Sequence, residues 1–345
     1  MAVTIREVAK RAGVSIATVS RVLNGSKPVS DRLKQRILEA VEETGYRPNA
    51  VARSMIQKKT GLIGVIVPEI ANPYFSGLVE GIEAVANEWS YYLMLAISEK
   101  NAQRELELLR IYQSRQMDGI LWAAAQMDPA CRAEVEKMNI PCVVIGQRLE
   151  EVCIPSAVID NRRASYETVK HLIQLGHQRI GMIHGPLWDV QSGKERFEGY
   201  RQALLEHGLP LRDEWTAEGL RFDVQDGVKG MESIWNQPER PTALFCACDR
   251  MAVGAMTYLK ERGVSIPEEL SVAGFDDEEL ASLVTPRLTT VRHSPYQMGY
   301  ESARILTDIL RRKRKSTSLT LTLDYQVVIR DSTATCKELS QHWNK

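Results

Sequence analysis

Thr4-Ile5-Arg6-Glu7-Val8-Ala9-Lys10-Arg11-Ala12-Gly13-Val14-Ser15-Ile16-Ala17-Thr18-Val19-Ser20-Arg21-Val22-Leu23-Asn24 is the stretch that decides how this chain folds. Thr4 stands before the apolar run Ile5, Val8, Ala9, Ala12, with Glu7 three residues on, the pattern of a capping box that opens a short helix. Gly13 ends it. Ser15 then caps a second helix with apolar positions Val19, Val22 and Leu23, stopped by Asn24-Gly25. Two short helices across a glycine turn form a helix-turn-helix, whose second helix enters the major groove of DNA by its N-terminal residues. A third helix is expected over Asp31 to Thr44, with Leu33, Ile37, Leu38 and Val41 closing a small core.

Charge supports this reading. The chain of 345 residues has no net charge, yet residues 1–60 carry 12 Lys and Arg against 5 Asp and Glu, and the remainder 32 against 39. A basic head on an acidic body is the layout of a protein that docks on phosphate with one end. A solvated basic helix pair is the plainer explanation of the same charges. At 44% apolar and 26% charged residues the chain has ordinary globular composition. It contains no apolar run of membrane-spanning length, and residues 1–7 lack a secretory signal, so the expectation is a cytoplasmic protein. The six cysteines (Cys131, Cys142, Cys153, Cys246, Cys248, Cys336) form no C-x-x-C pair and are expected to be free thiols, mostly buried.

From Gly61 onward, short apolar runs alternate with amphipathic stretches. Strands are expected over Leu62–Pro68, Tyr92–Ser98, Gly119–Ala124, Cys142–Gly146 and Ala157–Asp160. A second series covers Arg179–His184, Trp215–Arg221, Ala243–Ala247, Leu270–Phe275 and Leu288–His293. Helices such as Phe75–Trp89, Gln103–Gln116, Arg196–Glu206 and Ala252–Arg262 fall between them. Two successive sets of βα units imply two lobes with parallel sheets, and ligands in such folds bind just after the strands.

The opening stretch, together with Gly45-Tyr46-Arg47-Pro48-Asn49-Ala50-Val51-Ala52-Arg53, resembles the LacI/GalR family of repressors. The likeness continues through Asn72-Pro73-Tyr74-Phe75, Asp160-Asn161, Gly185-Pro186, Asp249-Arg250-Met251-Ala252, Gly274-Phe275-Asp276-Asp277 and Val328-Ile329-Arg330-Asp331. It implies a small all-α helix-turn-helix head plus an α/β, two-lobed, periplasmic-binding-protein-like body with parallel sheets. The divisions are then residues 1–47 for the DNA-binding head, 48–60 for a hinge helix and linker, 61–332 for the effector-binding and dimerisation body, and 333–345 for a polar tail.

By position, the resemblance assigns base reading to Ile16, Ala17 and Arg21, and phosphate contact to Thr4, Ser15, Thr18, Ser20 and Asn24. The residue types suit this, because Arg forks onto guanine whereas Ile and Ala meet only a thymine methyl. The alternative for Ile16 is a core position. Asn49, Ala52, Arg53 and Met55 would lie on DNA in the hinge helix, with Met55 where the family usually has a wedging leucine. The alternative is a plain linker whose Met55 packs on the body.

Effector contacts fall on Phe75, Asn161, Arg196 and Asp276, with Asp160 close by. An aromatic face, an amide and an Arg/Asp pair suit a polyol. Arg196 and Asp276 could equally be a structural ion pair. Trp188 is either a second stacking surface or a loop aromatic. Cys248 and Ala123 stand where some relatives carry polar contacts, which leaves the effector's identity open.

The implied function is a transcription regulator, a homodimer on a near-palindromic double-stranded operator, controlled by a sugar-like effector. Alternatively its input is a phosphorylated partner protein, as in carbon-catabolite regulators. Cys336 to Lys345 shows no apolar heptad, so no tetramer-forming tail is expected. Neither a phosphate-binding glycine motif, G-x-S-x-G nor metal-ligand spacing occurs, so an enzyme, a cofactor and a metal are not expected.

Overall fold

The computed structural model describes residues 3–24, 29–46, 59–124, 128–148, 154–312 and 319–336. They belong to two compact units, Met1–Thr60 and Gly61–Lys345. Asn49, Ala52, Arg53 and Met55 lie outside the described residues, as do residues 337–345 of the tail.

The head contains α1 (Ile5–Ala12), α2 (Ile16–Asn24) and α3 (Asp31–Thr44). The Thr4 N–H donates to Glu7 Oε2 at 2.7 Å, and Gly13 ends α1 at φ +61°, a left-handed conformation that costs glycine least. Ser15 Oγ accepts from the Thr18 N–H at 3.2 Å and opens α2. Val8, Ala9, Ala12, Val19, Ile37 and Ala40 form the buried core. Leu38, expected in that core, is instead exposed. One step round α3 from Ile37, it points about 100° away from the face that packs on α1 and α2.

The first lobe of the body is a six-stranded parallel sheet in the order β11-β5-β4-β3-β1-β2. Its strands are β1 (Leu62–Val67), β2 (Tyr92–Ile97), β3 (Gly119–Ala123), β4 (Cys142–Ile145), β5 (Ser156–Ile159) and β11 (Thr320–Leu323). Ile63, Val65, Leu121 and Val143 face one core, while Ile66, Ile120, Trp122 and Val144 face another. Both faces are therefore covered, as parallel sheets require. Helices α4 (Pro73–Glu88) and α12 (Pro295–Arg312) cover the first face, α5 (Ala102–Ser114) and α6 (Pro129–Lys137) the second. A Cβ on Gly81 would overlap the Tyr296 carbonyl, so α4 and α12 meet backbone to backbone.

The second lobe is a four-stranded parallel sheet in the order β7-β6-β8-β9. It comprises β6 (Ile180–His184), β7 (Thr216–Glu218), β8 (Ala243–Cys246) and β9 (Ser271–Ala273). Around it pack α7 (Asn161–Gln174), α8 (Arg196–Glu206), α9 (Val224–Trp235), α10 (Asp249–Glu261) and the short α11 (Glu279–Leu283). The chain passes between the lobes at Asp160-Asn161, between β10 (Thr290–Arg292) and α12, and between β11 and β12 (Gln326–Val328).

Three expectations are corrected. The Leu288–His293 run joins the second parallel sheet only through single parallel bridges, Thr289 to Ala273 and Arg292 to Asp276; its strand, β10, pairs antiparallel with β12. The Trp215–Arg221 run yields strand only over Thr216–Glu218, because Trp215 ends a 3₁₀ turn and donates its indole N–H to the Glu239 carbonyl. The described part of the segment expected as a polar tail, Thr333–Cys336, packs on the second lobe. The Cys336 N–H donates to the Leu175 carbonyl at 2.8 Å, the Ala334 carbonyl lies 3.0 Å from His177 Nε2, and Cys336 is only 7% exposed. The five described cysteines are free and buried.

Candidate functional site

Each unit carries one candidate surface. On the head, the exposed face of α2 presents Ile16, Ala17 and Arg21, with Ser20 half-buried between them. Positions i, i+1, i+4 and i+5 share one side of a helix, so these four form a continuous strip. Ile16 is 43% exposed, which removes it from the core. Thr4 and Ser15 are exposed at the N-termini of α1 and α2, and the Ser15 and Thr18 hydroxyls lie 2.9 Å apart beside the amides that begin α2. Backbone N–H groups at a helix N-terminus favour phosphate oxygens. Asn24 is the last residue of α2.

In the body, a cleft between the lobes is lined by Phe75, Asn161, Trp188, Arg196 and Asp276. Five of the six expected effector residues therefore meet. Asp160 does not join them: it lines a separate recess and caps α7, its Oδ1 accepting the Arg163 N–H at 2.9 Å.

Arg196 is the hub. It is 5% exposed and begins α8 directly after a π-helical turn, Val190–Glu195. Its Nε donates to Asn161 Oδ1 at 2.8 Å, Nη1 to the Ala247 carbonyl at 2.5 Å, and Nη2 meets Asp276 Oδ1 at 3.1 Å. The guanidinium also stacks 3.6 Å above the Phe275 ring.

Asp276 sits just after β9 at φ +99°, a strained position for a residue with a side chain. His293 Nε2 lies 3.2 Å from its Oδ1. Burial pushes the Asp276 carboxyl up, but Arg196 and then His293 outweigh it and hold it below the ordinary carboxylate range. Asp249 is the opposite case: burial pushes its carboxyl well above that range, although the Thr290 hydroxyl and the Glu278 N–H both donate to it.

Cross-lobe bonds close the cleft. Gln147, after β4, donates to Asp189 Oδ1 at 3.2 Å, and Lys100 Nζ reaches both Glu69 Oε1 at 2.9 Å and the Arg221 carbonyl at 3.0 Å. Trp188 stands at the mouth, 45% exposed. Tyr74, Gln147, Asp189 and His293 also line the cleft but were not singled out from sequence. The rule that ligand residues follow strands covers Gln147 and His293, and Tyr74 neighbours Phe75 in a matched stretch. Nothing local marks Asp189. Cys248 and Ala123 do line the cleft, as their positions imply, and present no strong hydrogen-bonding group.

Glu278, near this network, has its carboxyl pushed up to about 7, first by burial and then by Asp276, with Glu69 adding to it. Its stabilising contribution is thus full below an ordinary glutamate pKa of about 4.3 and is lost as pH rises through about 7. Glu278→Gln is expected to gain on the wild type in denaturant melts as pH rises from about 5 to about 8. A gap that stays constant with pH would show that Glu278 titrates as an ordinary carboxylate.

Comparison with known proteins follows the same division. A profile described as bacterial regulatory proteins, lacI family, matches residues 4–49, and one described as a periplasmic binding protein-like domain matches 169–333. The chain is 36% identical over 333 residues to catabolite control protein A of Priestia megaterium, covering 96% of this chain and 100% of that one. It is 33% identical over 332 residues to the HTH-type transcriptional repressor CytR of Escherichia coli K12, covering 96% of each. Among solved structures it is similar to the lac repressor dimer bound to operator and the anti-inducer ONPF, with TM-score 0.86, 27% identity and coverage of 97% of this chain and 100% of that chain. A CelR–cellobiose complex matches with TM-score 0.72 and 29% identity, over 96% and 99% of the two chains.

Proposed function

The chain belongs to the LacI family of bacterial regulatory proteins, and from that premise we propose that it is a dimeric repressor whose operator affinity is set by an uncharged sugar bound between its lobes. One observation carries the reading: an exposed strip of Ile16, Ala17 and Arg21 on α2 and an interlobe cleft built around Arg196 occur in the same chain. Strip residues Ile16, Ala17 and Arg21 read bases, Thr4, Ser15, Thr18, Ser20 and Asn24 contact phosphate, and Asn49, Ala52, Arg53 and Met55 engage the minor groove between half-sites.

The dimer reading is supported by β2, an edge strand that exposes Tyr92, Met94, Leu95 and Ile97. Such an apolar edge suits burial against a second copy, and a two-fold pair of heads suits a near-palindromic operator. The effector is uncharged because the cleft's cations are occupied: Arg196 by Asp276 and two further acceptors, Lys100 by Glu69 and the Arg221 carbonyl. Asp189, its carboxyl pushed up by burial, adds no attraction for an anion. No helix among the described residues is long and apolar enough to cross a membrane.

The test is a thermal-shift screen of neutral mono- and disaccharides, repeated with operator duplex. A cognate sugar at about 100 times its Kd adds about 2.7 kcal/mol to stability, and operator changes its affinity by the same factor as the sugar changes operator affinity. A panel in which no sugar both stabilises the protein and alters duplex affinity overturns the reading.

A further inference from the structure

Beyond the sugar cleft, on the other side of Asn161, a recess of about 500 Å³ lies where the two lobes meet. Ile159, Asn161 and Gln191 line it. Arg132 on α6 and Arg148 after β4 reach it from the first lobe, Arg162 on α7 and Lys194 in the π-helical turn from the second. We propose that this recess is a second ligand site, one that takes a small multivalent anion bearing phosphoryl or carboxylate groups.

Arg132 is already paired with Glu136 at 3.5 Å; among the described residues the other three cations, Arg148, Arg162 and Lys194, face two carboxylates, Asp160 and Glu195, and Asp160 already has an oxygen committed to capping α7. Among the described residues, Arg148 and Arg162 make their hydrogen bonds to neutral acceptors, the Thr322 hydroxyl at 3.3 Å and the Gln202 amide oxygen at 3.0 Å. Their charges are therefore not cancelled by those bonds, and a guanidinium fork fits phosphate or carboxylate oxygens in pairs.

The placement adds an argument. Because the cations come from both lobes, they repel one another across the boundary, and an anion between them replaces that repulsion with attraction. The sugar cleft has the opposite character, its two cations neutralised and three carboxylates (Glu69, Asp189, Asp276) on its walls. Charged and uncharged ligands are thus sorted to different sides of Asn161. The Asn161 amide joins the two sides, its Oδ1 accepting from Arg196 and its Nδ2 donating to Gln191 Oε1 at 3.3 Å. The proposal stands beside the sugar-cleft reading and does not depend on it.

The experiment is isothermal titration of the full chain with inorganic pyrophosphate at constant ionic strength. The wild type binds it saturably at this site. Arg148→Ala/Lys194→Ala, both at exposed positions, keeps the wild-type Tm and any sugar response but binds pyrophosphate about tenfold or more weakly, because two charged hydrogen bonds are lost. Arg148→Lys/Lys194→Arg, which preserves the charges, retains binding. Absence of saturable binding by the wild type overturns the proposal. So does binding unchanged in the alanine pair, which would place the anion on the basic head.

Discussion

Arg196→Ala is expected to lower the stability of the body by about 3–5 kcal/mol, the usual cost of removing one partner from a buried ion pair. The arginine and Asp276 side chains are 7% and 14% exposed. Truncation leaves the Asp276 side chain, among the described residues, with His293 and takes donors from Asn161 Oδ1 and the Ala247 carbonyl. It also removes the cation from the Phe275 ring face. Lysine cannot restore this arrangement, since one ammonium does not reach three divergent acceptors while stacking on a ring.

The pH dependence carries a sign. Asp276 is held below the ordinary carboxylate range, so its contribution is present above the unfolded value of about 3.9 and is lost as pH falls through the folded one. The stability gap between wild type and Arg196→Ala should therefore shrink on acidification below about pH 4. Denaturant titration of the wild type, Arg196→Ala and Arg196→Lys measures both effects. A loss under about 1 kcal/mol for alanine, or full rescue by lysine, would reduce the hub to a surface-type pair. Where the lysine variant remains folded, it should also have lost the sugar-induced thermal shift.

Arg21→Ala should weaken operator binding by about 1–3 kcal/mol per half-site, concentrated at one base position. Arg21 is exposed on α2 and outside the head's core, so the head's Tm should not change. Binding measured against operators varied one base pair at a time distinguishes the roles. Loss of discrimination at a single symmetric pair of positions assigns Arg21 to a base edge, whereas equal weakening on every sequence makes it a phosphate contact. Ile16→Ser provides the apolar counterpart, because an exposed isoleucine can be replaced without opening a cavity in the core.

The head was legible residue by residue. Capping boxes, glycine stops and 3.6-residue periodicity act within a few positions, so α1, α2 and α3 lie where the pattern Thr4-Glu7, Gly13, Ser15 and Asp31–Thr44 puts them. Strands β1 to β5 of the first lobe were equally readable, since a parallel strand covered on both faces is a continuous apolar run; β11, a half-exposed alternation of Thr and Leu at the sheet edge, was not among the expected strands. Leu38 was the exception, because two adjacent leucine-type positions, Ile37 and Leu38, both suit a core until the neighbouring helices choose between them.

What the sequence by itself determined is therefore whatever depends on neighbours along the chain: helix bounds, the parallel strand series and the residue types available to a cleft. Tertiary structure alone decided the rest. It made β10 and β12 an antiparallel pair 34 to 38 positions apart, docked Thr333–Cys336 on the second lobe, moved Asp160 out of the cleft, and linked Gln147 to Asp189 across 42 positions. A partner tens of residues away leaves no periodicity in the chain, and only the closed geometry brings the charges and amides within bonding distance.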